Sequence, residues 1–367
     1  MSKEMTAVSV KEPLMHISKR DGIEPYKAWL IRLAAVLISL IVCAGVIFAL
    51  TGLNPIEVYK GVFDGAVGTK RRVWMTIRDT LVLLCIAIGI TPAFKMRFWN
   101  IGAEGQIIMG AIFATYFALF CWDFPHWLLM ICMFLAGMLG GALWGLIPAL
   151  FKAKFDTNET LFTLMLNYVA LYLISFLRDG PWKDPNSSGF PKIARFGENA
   201  QLDKIFGVHA GWLIGLVLVV IVFIYLKFTK QGYEIGVVGE SRATANYAGM
   251  NYKKIVLRTM AFSGGICGIA GMVQASGSDL TLTTSVAGGV GFTAIIVAWL
   301  AQLNPVGILV VSFLFAVLEK GSTVMQSAHG LSAYSADVLQ GIILFFVLGC
   351  EFFVRYKFVT RRKGGHA

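Results

Sequence analysis

From residue 33 to residue 53 the chain has no charged side chain, and apolar runs of similar length recur almost to the C-terminus. A bilayer core is about 30 Å thick and takes about 20 apolar residues per helix. In hydrocarbon every backbone N–H and C=O must find its partner inside the protein, so such runs fold as spanning helices. The composition agrees. Apolar residues make up 57% of the 367 positions and charged residues 14%, where soluble domains have about 25% charged. Ten spans of about 20 residues fit that content. A disordered chain and a disulfide scaffold are excluded, and a soluble enzyme is disfavoured.

The reading along the chain is an all-α polytopic membrane protein of about ten helices. Residues 1–28 form a polar N-terminal tail, 29–356 the transmembrane region and 357–367 a C-terminal tail. The first run, 30–53, is too long for a signal-peptide core and no small-residue cleavage site follows it, so it is a retained span. Further spans are expected near 77–94, 103–122, 127–151, 159–177, 211–228, 260–280, 289–303, 304–322 and 335–355. The 77–94 span is expected to be interrupted near Gly89 and Pro92. Residues 178–210, with Pro181, Pro185 and Pro191, form an external loop, and 229–258 a basic cytoplasmic loop. With both termini inside, 21 of the 32 Lys and Arg fall on the inner side, as the positive-inside rule requires. That bias, rather than nucleic acid, accounts for the net charge of +11. The cluster Lys70-Arg71-Arg72 falls outside in this count, which an amphipathic segment on the outer surface would explain. The six Cys lie singly in apolar runs, without metal-ligand spacing, and are packing residues.

No P-loop, HExxH or GxSxG occurs, and the five His lie in tails or loops. Movement of a solute is therefore the default, and catalysis is not. Two corresponding interruptions stand out: Asn100-Ile-Gly-Ala-Glu-Gly-Gln106, and Ala287-Gly-Gly-Val-Gly-Phe-Thr293. Both are Gly-rich and both precede a new apolar run. Gly-broken spans at equivalent places in two halves point to a transport site, although close helix packing alone produces the same pattern. Gly137, Gly141 and Gly145, and Gly264 and Gly268, are spaced as smooth packing faces. A buried ionisable group costs roughly 2.5–3.5 kcal/mol in a span, which singles out Glu104 and Glu319. Glu104 also suits a helix start, where the dipole favours a carboxylate, and Glu319 an outer-end pairing. Asn167 serves either an interhelical bond or a pathway. Asn100, Glu104, Gln106, Asn167, Phe292 and Thr293 are the candidate pathway residues. They suit an uncharged, hydrogen-bonding solute such as a sugar or nucleoside.

Within the basic loop, Ser241 to Ala248 favours a short helix, with Ser241 as N-cap and Gly249 as the C′ residue. So short a helix is not stable alone and calls for a groove in a partner. Tyr247 and Met250 are its apolar anchors, and Arg242 can pair with an acidic groove residue. Glu240, Ser241, Arg242, Ala243, Asn246, Tyr247, Ala248 and Gly249 are the candidate coupling residues; an ordinary amphipathic linker is the alternative.

Four motifs in one order now resemble a known family. Asn100–Gln106 with Met109-Gly110, Thr163-Leu-Met-Leu-Asn-Tyr168, Gly239–Gly249, and Gly291-Phe-Thr-Ala-Ile-Ile-Val-Ala298 with Leu303-Asn-Pro305 are similar to permease subunits of bacterial ABC importers for simple sugars and nucleosides. The Ile-Gly-Ala-Glu-Gly-Gln form resembles the nucleoside branch. The long N-terminus and Gly180-Pro-Trp-Lys-Asp-Pro185 resemble the larger of two unlike permeases. The chain departs from the family at Ala294, Trp299 and Ala301-Gln302. The resemblance implies a vitamin-importer-like (type II) permease of two inverted pseudo-repeats, in the bacterial cytoplasmic membrane. It also implies a second permease, a tandem-cassette ATPase that binds ATP and Mg and meets the 239–249 segment, and an extracellular substrate-binding lipoprotein. This chain itself then holds no cofactor and no metal. A simple-sugar permease is the alternative; a secondary carrier is disfavoured by the 239–249 motif.

Overall fold

The computed structural model describes residues 15–19, 24–187, 189–329, scattered positions between 338 and 354, and 356–360. The chain divides into two compact units, one of residues 1–58 with 334–367 and one of residues 59–333.

In the first unit, strand β1 (Met15–Lys19) precedes helix α1 (Pro25–Thr51). Pro25 starts the helix where its missing N–H costs nothing, and Gly52 ends it in the left-handed region at φ 68°. Leu33, Leu37, Ile41 and Phe48 are exposed on α1, as on a helix that meets lipid. Strand β4 (Tyr356–Thr360) pairs antiparallel with β1, from Met15 opposite Thr360 to Lys19 opposite Tyr356. The expected tails, 1–28 and 357–367, thus contribute to one ribbon. The span expected at 335–355 lies largely outside the described residues.

The boundary between the units falls within α2 (Pro55–Val67), the segment before the Lys70–Arg72 cluster. The helices of the second unit are α3 (Lys70–Lys95), α4 (Ala103–Phe120), α5 (His126–Phe155) and α6 (Glu159–Asp179). The short antiparallel strands β2 (Lys204–Ile205) and β3 (Val208–His209) come next. Then follow α7 (Gly211–Phe228), α8 (Lys230–Glu240), α9 (Arg242–Tyr247), α10 (Tyr252–Val273), α11 (Val290–Leu300) and α12 (Pro305–His329). Eight helices among the described residues are long and apolar enough to cross a membrane. The expected 289–303 span is only the 11-residue α11. At 1.5 Å per residue it is about 16 Å long and reaches half-way through the hydrocarbon.

The core is built on backbone contact. A Cβ on Gly141 would collide with the Gly264 carbonyl, one on Gly268 with the Gly137 carbonyl, and one on Gly110 with the Gly268 backbone. The glycine faces on α5 and α10 therefore interlock, with α4 against them, and van der Waals packing replaces the hydrophobic drive that lipid cannot supply.

Two boundaries differ from expectation. Helix α3 begins at Lys70, not near 77, because the Thr69 side chain caps it by accepting from Arg72 N at 3.3 Å. It also runs unbroken through Gly89 and Pro92. Pro92 lies one turn from the helix end and costs the ladder one bond, the one its N–H would have made to the Ile88 carbonyl. Gly89 is a contact point, since a Cβ there would sit 2.7 Å from Ile266 Cγ2 on α10.

Candidate functional site

The two Gly-rich interruptions meet. Glu104, in the first turn of α4, accepts from Gly289 N at 2.7 Å through Oε1 and from Gly291 N at 2.8 Å through Oε2. Both carboxylate oxygens thus cap the start of α11, where the dipole and the unpaired N–H groups favour negative charge. The turn into α11 passes through Gly288 and Gly289 at φ 54° and 83°, a region that side chains with a Cβ adopt at a cost. Gly291 is glycine for space, since a Cβ would lie 2.5 Å from Glu104 N.

The first interruption is held from its own side. The Asn100 and Gln106 amides bond reciprocally, Asn100 Nδ2 to Gln106 Oε1 at 3.3 Å and Gln106 Nε2 to Asn100 Oδ1 at 3.2 Å. Asn100 Oδ1 also accepts from Gly102 N at 3.1 Å. From α6, Asn167 Oδ1 accepts from Gly105 N and Asn167 Nδ2 donates to Ile101 O, both at 2.9 Å. Thr163 Oγ1 accepts from Ile101 N at 3.2 Å. Asn100, Gln106, Thr163 and Asn167 are all buried, and paired as buried polar groups must be. Their amides serve the turn between α3 and α4. Phe292 is 39% exposed, and Thr293 faces a cavity. Trp299, at the far end of α11, stacks on Trp99 with ring centroids 5.1 Å apart. Glu319 and Thr293 line the same cavity.

That cavity, of about 210 Å³, lies between α3, α10, α11 and α12 and is also lined by Arg78, Asp79, Gln274 and Lys320. Arg78 Nη2 lies 2.6 Å from Asp79 Oδ1, and Lys320 Nζ lies 2.8 Å from Asp79 Oδ2. Sequence reasoning counted Arg78 and Lys320 as loop charges and passed over Asp79 and Gln274. The signal was an adjacent Arg-Asp pair at the edge of an apolar run, with a Lys far along the chain to share its carboxylate.

Gln274 opens a single π-helical stretch, Gln274–Asp279, after α10. Such stretches gather at functional sites. The segment before α7 ties itself to the same stretch and the residues just after it. Leu202 N donates to Ser276 O at 3.1 Å, Phe196 N to Leu280 O at 2.9 Å, and Thr281 Oγ1 to Ile193 O at 3.1 Å. His209 Nε2 lies 3.1 Å from Ser278 Oγ. Burial holds His209 well below its usual value, to about 4; Arg78 pushes the same way and Asp79 opposes.

At the opposite end of α3, the 240–249 segment folds as the short capped helix expected. Ser241 Oγ accepts from Thr244 N at 3.2 Å, α9 follows, and Gly249 takes φ 73°. Ala245 is buried against Met96, Phe98, Ile235 and Met260, which supplies the anchorage so short a helix needs. Glu240, Ala243, Asn246, Ala248 and Gly249 are exposed, and Tyr247 is 96% exposed. Met250 packs inward. Arg242 is engaged within the chain, 3.7 Å from Asp156 Oδ2 and 4.3 Å from the Tyr252 ring centre. The Lys152 hydrogen bond holds the Asp156 carboxyl below its ordinary value, with Arg242 adding a smaller push. No cluster among the described residues could hold a metal ion.

Residues 73–348 match the family described as the permease component of the branched-chain amino acid transport system. A glucose ABC transporter permease of Haloferax volcanii is 30% identical over 90% of both chains. A nucleoside ABC transporter permease of Lactococcus lactis is 30% identical over 87% of this chain and 90% of its own. A guanosine ABC transporter permease of Bacillus subtilis is 27% identical over 92% of this chain and 97% of its own. Each of these organisms has a second similar permease, aligned over only 66–70% of this chain.

Proposed function

Since the chain belongs to this permease family and is the non-catalytic, multi-pass membrane subunit of an ABC importer with its ATPase on a separate subunit, we propose that it carries nucleosides, paired with a second, unlike permease. The carrying observation is its near full-length similarity to permeases named for nucleosides and for guanosine. Family membership removes the secondary carrier. A simple-sugar substrate is the second reading, favoured by an equally similar glucose permease.

The pairing is supported by the relatives, which come two to an organism, this chain aligning more fully with one of each pair. The pathway lies beside the junction of α4 and α11. Phe292 and Thr293 present their side chains to it, while Asn100, Glu104, Gln106 and Asn167 hold the backbone around it. Residues 240–249 dock on a tandem-cassette ATPase that binds ATP and Mg, with exposed Tyr247 as the anchor. An extracellular lipoprotein delivers the solute. The membrane is the bacterial cytoplasmic membrane with both termini inside, which suits the paired tails and the inner excess of Lys and Arg.

The test is uptake by proteoliposomes holding the full assembly with ATP. Labelled uridine and guanosine should enter in an ATP-dependent manner, with glucose at background. Glucose uptake without nucleoside uptake would establish the second reading. Placing Asp at Ala248 should leave the assembly intact and uncouple ATP hydrolysis from uptake; coupled transport by that variant would remove 240–249 from the role.

A further inference from the structure

We infer that the cavity between α3, α10, α11 and α12 is a subsite for the sugar ring of the transported solute. Its lining carries two cations, Arg78 and Lys320, and two carboxylates, Asp79 and Glu319. The lining charges sum to zero and three of them are paired with one another, so the wall gives neither an anion nor a cation a net attraction and suits an uncharged solute. The charges are fixed before any solute arrives. Asp79 Oδ1 accepts from Arg78 Nε at 2.6 Å, and Asp79 Oδ2 lies 2.8 Å from Lys320 Nζ. The three side chains are only 18–28% exposed, so their dipoles act in partly excluded water.

Hydrogen-bonding capacity remains on this wall. Lys320 has three N–H donors and uses one on Asp79. Gln274 Nε2 is held by Asp279 Oδ1 at 3.1 Å, while its carbonyl oxygen has no partner among the described residues. Donors and an acceptor beside one another are what a pair of neighbouring hydroxyls requires. The other wall is apolar: Val82, Ile86, Val290 and Ala316. A sugar ring has that same division, a hydroxyl edge and a C–H face. At ~30 Å³ per water the cavity holds about seven waters, the scale of one sugar ring rather than a whole nucleoside. Glucose and nucleosides, the solutes in the names of the three relatives described above, share a sugar ring.

This inference rests on the reading that the chain carries a nucleoside or a sugar. Its test is equilibrium binding of labelled uridine and labelled glucose to the purified full assembly without ATP. Three variants are compared with wild type: Gln274→Leu, Lys320→Met and Ser285→Trp. Lys320→Met also breaks the Asp79 ion pair, so the other two decide. Ser285 is exposed at the cavity rim, and Trp there blocks entry without disturbing the core. The expected result is at least tenfold weaker binding in Gln274→Leu and Ser285→Trp, with unfolding midpoints near wild type. Binding within twofold of wild type in both overturns the subsite and leaves the nucleoside reading standing. Binding of glucose alone, lost in both variants, supports the subsite and removes the nucleoside reading. No saturable binding of either probe by the wild-type assembly overturns the subsite as well.

Discussion

The break before α4 and the break before α11 look alike as sequence and are stabilised in opposite ways. The first carries its own polar side chains, Asn100 and Gln106, and takes two more from nearby α6, Thr163 and Asn167. The second, Ala287 to Gly291, offers backbone only. Its N–H groups are satisfied by Glu104, 185 and 187 residues away, and the segment leading to it by the external loop. A break held by its own side chains and one adjacent helix keeps its shape as long as that helix stays beside it. A break that borrows its stability keeps its shape only while the lender stays in place. Transport machinery needs one of each, a fixed element and a conditional one.

That asymmetry can be broken at Glu104. Glu104→Ala should cost about 3–6 kcal/mol, from two charge-assisted bonds at roughly 1.5–3 kcal/mol each. Against a typical total of about 5–15 kcal/mol, the solubilised assembly should melt far earlier. Hydrogen exchange should rise at 287–293 while 100–106 stays protected; equal loss at both would end the comparison. Next is Asn167→Ala, which leaves the Gly105 N–H and the Ile101 carbonyl buried and unpaired. About 2–5 kcal/mol is expected. Here exchange should rise in both breaks, because loosening the first moves Glu104. Damage confined to 100–106 would show that the second break does not depend on it.

Acid should act on the second break alone, through the external loop. His209 is held to about 4 in the folded chain, below the ~6.5 of an unfolded one. Between those values the unfolded chain binds the extra proton, so stability is full above pH 6.5 and falls as pH drops towards 4. The loss is at most about 3 kcal/mol. Melting temperature against pH should flatten in this window for His209→Gln. The smallest effect is Thr163→Val, about 1–2 kcal/mol for the neutral bonds that Oγ1 accepts from Ile101 N and donates to Glu159 O, with both breaks still protected.

The spans, the glycine faces and the Ser241–Gly249 segment were legible because each is local: apolar length, four-residue spacing, a cap and a terminator within nine residues. The role of Glu104 was half legible. Its place at a helix start could be read, but the N–H groups it holds belong to another helix. Asp79 was missed because its partner Lys320 lies on α12, and pairing across the bundle leaves no trace in spacing. Asn167 reads equally well as pathway or packing until the loop it bonds is in view. Helix α11 was expected to span because apolar content continues past Leu300, but positive-φ turns at Gln302 and Leu303 end it early.

The ribbon between β1 and β4 sets an order on synthesis. Its first strand, Met15–Lys19, precedes its second, Tyr356–Thr360, by more than 300 residues. At roughly 5–20 residues per second, β1 waits on the order of 20–70 s for its partner, whereas a hairpin closes in about 1–10 µs once both strands exist. The clasp therefore forms only after all the helices between its strands have been synthesised. Until residues 356–360 have been made, β1 keeps an open edge, so a chain in that state differs in its exposed backbone from one in which the ribbon has closed.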